Sequence, residues 1–291
     1  MTSGLEDIMA TQLTVASMQR NEAKYIFEWM AYYLIQGVDR FVIYNHMSTD
    51  ATEGIWRRLA QHYAIDIHNR EGYNVHYPML EHALTEVLPT TDWLIFADMD
   101  EFYFPIKRYT IREVLDEHAN WPCSAFGVYW CQFGSNGYID DPDLVTQSYT
   151  RRGPLNLSTN HHMKSIVRGR GLAGEVKGTN PHVFTTQYNT MSFDGRIISP
   201  NCGHNAAVEP CHDVMRLNHY QCKSWEYFKT KKQARGSTAD RAPDAPGAQI
   251  PDSVFKDYDR NDEYDDSIWV KYGSRLTETI SELKHKIGYF E

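Results

Sequence analysis

The chain has 291 residues, 42% hydrophobic and 23% charged, which excludes collagen-like, coiled-coil and wholly disordered proteins. Its formal net charge of −9 argues against a reader of nucleic-acid backbones, although a local basic patch still suits a small anion. Aromatic residues reach 13%, with 19 Tyr, enough either to fill a large core or to face sugar and base rings.

Residues 13–16 read as a short buried strand. Asn21 is placed to cap a helix in which Tyr25, Ile26, Trp29, Met30, Tyr33 and Leu34 recur with the helical period, and Gly37 sits where a left-handed C-terminal cap belongs. Residues 41–44 form a second strand, 52–63 a helix, 65–67 a weaker strand and 77–88 another helix. Residues 93–97 are apolar on both faces, as central parallel strands are. Repeated β-α-β units predict an α/β sandwich with a mostly parallel central sheet, binding ligands beyond the carboxyl ends of its strands.

The second half is less regular. Residues 126–130, 145–149 and 164–168 read as strands, 153–159 and 169–179 as loops, and 224–235 as a basic helix. Residues 239–252 are rich in Pro, Gly, Ala and Asp, and a last helix covers 274–286. The expected organisation is a catalytic-sized domain over 1–236, a linker over 237–252 and a helical extension over 253–291.

Five cysteines, an odd number, fit free thiols in a reducing cytosol. Residues 1–11 lack a basic then apolar leader, and no stretch offers the roughly 20 apolar residues of a spanning helix. A cytoplasmic location is expected, with peripheral attachment to the inner face of a membrane left open.

The sharpest local feature is Asp98-Met99-Asp100-Glu101-Phe102, directly after the apolar strand. Alternation along an extended backbone puts Asp98 and Asp100 on one side. A like-charge pair about 4 Å apart costs roughly 1–4 kcal/mol, and a divalent cation turns that repulsion into binding, because Mg²⁺ and Mn²⁺ favour carboxylate oxygens. Asp-x-Asp alone is unspecific, since Asp141/Asp143 and Asp257/Asp259 share it; position at the end of the central strand singles out Asp98 and Asp100.

These blocks recur in a recognisable order. The string from Arg20 to Trp29, Gly37-Val38, Tyr44-Asn45 with Ser48 and Asp50, and Asp92 to Phe102 resemble the nucleotide-sugar glycosyltransferases of family 92 and their bacterial relatives. Phe133-Gly134-Ser135 with Gly137 after Trp130, and Leu217 to Tyr220 leading to Ser224, Glu226, Phe228 and Lys231, extend the likeness. The resemblance implies a GT-A fold, a UDP-sugar donor carrying a hexose such as galactose, a glycan acceptor, inversion, and Mn²⁺ or Mg²⁺.

It also implies roles for individual residues. Ala16, Arg20 and Glu22 are candidates for the uracil and ribose edge, with Asp50 closing the base pocket. A first-turn helix acid for Glu22 and a helix cap for Asp50 fit equally well. Asp98 would face ribose or metal, Asp100 would bind metal, and His219 would complete the metal shell. Lys164 and Arg168 are candidates for the diphosphate, and Glu226 or Glu101 for the base that takes the acceptor's proton. Gly134, Ser135 and Gly137 would form a tight loop near the donor sugar, and Trp130 would offer a ring to the acceptor.

Two rival readings stand beside this one. A nucleotidyltransferase acting on sugar phosphates shares paired aspartates on a βαβ core, but the segment from Ala16 to Glu22 lacks the glycines of a phosphate loop. Cys202, His204, Cys211, His212, His219 and Cys222 supply enough ligands for structural zinc in a carbohydrate-binding module without catalysis.

Overall fold

A computed structural model describes residues 11–170, 176–177, 182, 184, 188–198, 209–233, 242 and 250–289. The first half follows the expected alternation: β1 (Leu13–Gln19), α1 (Ile26–Ile35), β2 (Arg40–His46), α2 (Thr52–Leu59), β3 (Ile65–Arg70), α3 (His76–His82) and β4 (Trp93–Phe96). Between α3 and β4 the helix widens into a π turn (Ala83–Val87) and closes as a 3₁₀ turn (Leu88–Thr90). Then come β5 (Glu101–Pro105), α4 (Ile111–Glu117), β6 (Ala125–Gln132), α5 (Val145–Ser148), β7 (Arg151–Arg152), β8 (Met163–Arg168), β9 (Thr190–Met191), β10 (Ile197–Ile198) and β11 (Met215–His219). The chain ends with α6 (Trp225–Tyr227) running into a π turn (Phe228–Gln233), α7 (Asp252–Tyr258), β12 (Glu263–Tyr264) and α8 (Ser267–Lys286).

Strands β3-β2-β1-β4 are parallel. The sheet continues through β8, antiparallel to both β4 and β6, and through β11, parallel to the end of β6 and antiparallel to β5. Side chains of β1 divide between two cores with the strand period of two. Leu13 and Val15 join α1, Trp56 and α8 on one face; Ala16 joins Val42, Phe96 and the apolar side of α3 on the other. Both β1 and β4 are thus covered on each face, as parallel strands require. No described helix is long and apolar enough to cross a membrane.

Several local expectations are corrected. Asn21 does not cap α1: it adopts φ 56°, its side chain accepts a hydrogen bond from Thr49 N at 2.7 Å, and Tyr25 holds the cap position. Residues 145–148 form a helical turn instead of a strand. The buried Glu28 carboxylate accepts hydrogen bonds from Val145 N at 2.7 Å and Thr146 N at 2.8 Å. Two consecutive amides directed at one acceptor suit a helix start, whereas strand amides alternate in direction. The last helix begins seven residues earlier than its pattern suggests, at Ser267. Its buried Tyr272 meets Tyr32 of α1 edge-on with ring centroids 5.6 Å apart. Most of the linker at 237–252 lies outside the described residues.

The loop holding Gly134, Ser135 and Gly137 does not reach the cleft below β4. Ser135 N donates to Asp259 Oδ1 at 2.6 Å, and Asn136 N donates to Asn261 Oδ1 at 2.8 Å. A Cβ on Gly134 would come within 2.5 Å of Arg260 O, so glycine here permits two backbones to touch. Gly134→Ala should therefore loosen the 258–261 segment. Overpacking of this kind costs about 1–3 kcal/mol, and a fall of several degrees in Tm by calorimetry is the expected reading; an unchanged Tm would show that this contact constrains nothing.

Candidate active site

The acidic cluster sits where β4 ends. Ala97 N still donates to Ala16 O at 3.1 Å, extending the pairing with β1. The chain then turns: Glu101 N donates to Asp98 O at 3.1 Å, while Asp98 N donates to Glu101 Oε2 at 2.9 Å. Beyond this turn β5 pairs with β11 in a register that sets His219 opposite Glu101, and Tyr220 N donates to Asp100 O at 2.8 Å. An antiparallel strand pair thus carries a distant histidine to the acids.

Two lysines neutralise the cluster. Lys164, on β8, holds Asp98 Oδ2 at 2.7 Å and Glu101 Oε2 at 2.5 Å with its side chain 3% exposed. Lys232, in the π turn after α6, holds Asp100 Oδ2 at 2.6 Å and is 22% exposed. These groups face a cleft of about 290 Å³, lined also by Ala16, Met18, Phe96, Trp130, His182 and Gln221. Asp98 is its most open acid, with half its side chain exposed, whereas Asp100 and Glu101 are buried.

Burial pushes the Glu101 carboxyl up to about 8 against the pull of Lys164. For Asp100, burial is outweighed by the Lys232 ammonium and by His219, which hold it well below the usual carboxylate range. Burial drives His219 down to about 3, so its imidazole is neutral near pH 7. Its Nε2 lies 3.8 Å from Asp100 Oδ1 and 4.0 Å from Glu101 Oε1, both beyond hydrogen-bond range. Glu101 Oε1 and His219 Nδ1 have no hydrogen-bond partner among the described residues.

Two donors on one octahedral Mg²⁺ or Mn²⁺ at about 2.1 Å lie roughly 3.0 Å apart when cis and roughly 4.2 Å apart when trans. The 3.8 Å between Asp100 Oδ1 and His219 Nε2 lies between the two, so a shared ion would need a small shift of one side chain; a cation that takes one or two carboxylates completes its shell with waters and phosphates. The donor chemistry therefore fits at Asp100 and His219, while Asp98 is turned to Lys164. No group of three or more His, Cys, Asp or Glu among the described residues converges as a ready-made metal centre.

The remaining candidates separate into those near the cleft and those away from it. Ala16 lines the cleft. Arg20 and Glu22 lie in the turn between β1 and α1 and do not line it, and Glu22 N donates to Thr52 Oγ1 at 2.7 Å. Asp50 ties two loops together, accepting from Thr52 N at 3.0 Å and Ala23 N at 3.2 Å. Arg168 is at the wrong end of β8: it pairs in register with Trp93, at the start of β4, and stacks 4.5 Å over that ring. Glu226 is exposed outside the cleft, accepting from Asp141 N at 3.1 Å. Trp130 forms part of the wall, but His162 stacks on its ring at 4.8 Å and His219 packs at 4.3 Å, leaving little face for an acceptor. Its Nε1 donor has no hydrogen-bond partner among the described residues.

The zinc reading does not assemble from the described residues. Cys211 packs with Tyr129 and Met163, Cys222 with Phe228 and Phe255, and His212 bonds to Trp130 O at 2.8 Å. Cys202 and His204 lie outside the described residues. Lys232 is the functional candidate that sequence reasoning overlooked; its neighbour Lys231 belongs to the family-like block, and only the folded turn shows which of the two faces the acids. A third lysine, Lys223, is buried with its ammonium 3.4 Å over the Tyr25 ring, and burial draws it down to about 8.

Fold and cleft together define an α/β protein of GT-A type with a charged cleft at the carboxyl edge of its parallel strands. The chain belongs to glycosyltransferase family 92, whose profile matches residues 12–238. It is 28% identical over 233 residues to a family 92 protein of Oryza sativa subsp. japonica, covering 79% of this chain and 36% of that protein. A family 92 protein of Arabidopsis thaliana is 26% identical over 238 residues, covering 78% of this chain and 38% of its own. The chain thus spans under two-fifths of these relatives. Among solved structures, S. aureus TarS 1–349 superposes with a TM-score of 0.36 at 17% identity, over 54% of this chain and 47% of that one.

Burial lowers the His212 imidazole to about 4, against an ordinary value near 6.5. The folded state then binds fewer protons than the unfolded one, so stability falls as pH drops from about 6.5 towards 4. A shift of this size corresponds to up to about 3 kcal/mol at the acid end. In urea melts across this window, His212→Gln should lose less stability than the wild type; parallel losses would remove His212 as a source of acid sensitivity.

Proposed function

We propose that the chain transfers a hexose, galactose being one candidate, from a UDP-sugar to a glycan acceptor with inversion, assisted by Mn²⁺ or Mg²⁺. The observation that carries this reading is the convergence, in one cleft at the end of β4, of Asp98, Asp100 and Glu101 with Lys164, Lys232 and a neutral His219. In a family 92 chain, that combination suits a negatively charged leaving group beside a proton acceptor.

Ala16 and Met18, at the carboxyl end of β1, line the side of the cleft suited to the nucleoside. Asp100 and His219 would hold the cation, which supplies positive charge against the departing diphosphate. Asp98, the open acid, is placed for a ribose or sugar hydroxyl. Glu101 is the candidate base: it lines the cleft, its Oε2 is fixed by Lys164 and Asp98 N, and because burial pushes its carboxyl up to about 8 it acts once it has lost its proton, so kcat should rise with pH towards 8. It would take the acceptor hydroxyl's proton as that oxygen attacks the anomeric carbon.

A panel of UDP-sugars offered with a mixture of glycan acceptors, with and without Mn²⁺, should give UDP release with at least one donor; no release, hydrolysis or thermal protection by any donor would defeat the reading. Asp100→Ala should abolish Mn²⁺-dependent UDP binding in calorimetry while the circular dichroism spectrum persists. Glu101→Gln should lower kcat by roughly 10²–10⁴, the usual contribution of a general base, with UDP affinity near that of the wild type; an unchanged kcat would move the base elsewhere.

A further inference from the structure

The two lysines of the cleft are held very differently. Lys164 is buried and bridges two carboxylates, so moving its ammonium would strand the buried Glu101 together with Asp98. Removing one partner from a buried ion pair is strongly unfavourable. Lys232 has one carboxylate partner, Asp100 Oδ2 at 2.6 Å, and its side chain is part-exposed at the cleft.

The side chains on either side of Lys232 reach away to other segments. Lys231 Nζ donates to Asn21 O at 2.8 Å, across to the turn before α1. Gln233 Nε2 donates to Ile250 O at 2.8 Å. The four rotatable bonds of Lys232 let its ammonium swing without requiring the turn to move.

We propose that Lys232 leaves Asp100 when a donor binds and becomes the cation that grips the diphosphate. This rests on the donor reading above and adds a residue to it. Lys232 is the ammonium in direct contact with the buried Asp100 carboxylate. A diphosphate, with more negative charge and more acceptor oxygens than one carboxylate, competes for the ammonium. The released Asp100 is then free for a divalent cation alongside His219. Donor and cation consequently assist each other's binding, because each removes what opposes the other.

The test uses the whole chain, with UDP titrated by calorimetry in Mn²⁺, uridine by NMR, and Mn²⁺ alone by electron paramagnetic resonance. Lys232→Met should weaken UDP by about tenfold or more, the scale of one lost charge-assisted contact, and leave uridine unchanged. The same variant should bind Mn²⁺ severalfold more tightly without nucleotide, because Asp100 has lost its competitor. Lys232→Arg should recover most of the UDP affinity, and Lys229→Met, which breaks the exposed pair with Asp252 in the same turn, should match the wild type. If Lys232 serves only to neutralise Asp100, Mn²⁺ affinity rises while UDP affinity holds, and the proposal falls. Unchanged or weaker Mn²⁺ binding in Lys232→Met overturns it as well. Lys232→Gln is read by the same criteria should the methionine variant not fold. A wild-type chain that binds no UDP overturns the donor reading and this inference together, whereas equal UDP binding by wild type and Lys232→Met overturns this inference alone.

Discussion

The cleft depends on one electrostatic constraint: Asp98, Asp100 and Glu101 are crowded at the end of a parallel strand. Like charges about 4 Å apart repel by roughly 1–4 kcal/mol, more as water is excluded. Lys164 resolves most of this by bridging Asp98 and Glu101 from β8, whose antiparallel register carries Lys164 past the end of β4. Its ammonium is also raised above the ordinary lysine range, burial being outweighed by Asp98 and Glu101. The positive charge is thus built into the sheet and does not depend on a surface side chain finding its partner.

The topology then determines which other groups can reach the acids. Because β5 starts at Glu101, its pairing with β11 places His219 across from the acids and Asn218 across from Phe102. A slip of one residue would turn His219 to the opposite face of the sheet. The parallel pairing of β11 with the end of β6 adds a second register constraint, His219 against Gln132. Trp130 packs on the imidazole from the same neighbourhood. The histidine is held by backbone pairing and aromatic packing, and its ring nitrogens are left for other work.

The parallel half of the fold was legible because its signals are local. Apolar runs at residues 13–16, 41–44 and 93–97 became β1, β2 and β4, and Gly37 takes φ 88° as a left-handed cap must. The acids were legible because they follow the most apolar strand. What misled were segments whose form is set by distant partners. The turn at 145–148 is helical because Glu28 accepts its amides. The Gly134 loop is tight because a C-terminal segment lies against it. Arg168 shares a strand with Lys164, and sequence alone does not say which end of an antiparallel strand meets the acids. Lys232 was hidden for a similar reason: in an α-helix, adjacent lysines diverge by about 100°, and the widened turn decides which one looks inward.

Using lysines as resident counter-charges has a consequence for stability. A cleft that relied on a metal ion alone to offset its acids would carry uncompensated repulsion whenever the ion was absent. Here the turn is closed by its own hydrogen bonds, Glu101 N to Asp98 O and Asp98 N to Glu101 Oε2, and all three acids have a lysine partner within the chain. The geometry of the cleft is thus set by contacts within the chain, and a donor of the proposed kind would meet little ordering cost there. The same pairing bears on the proposed cation: if Asp100 is its ligand, the ion competes with Lys232 for that carboxylate, and a bare divalent ion would be a weaker competitor than one arriving with a diphosphate, since only the latter offers Lys232 another anion.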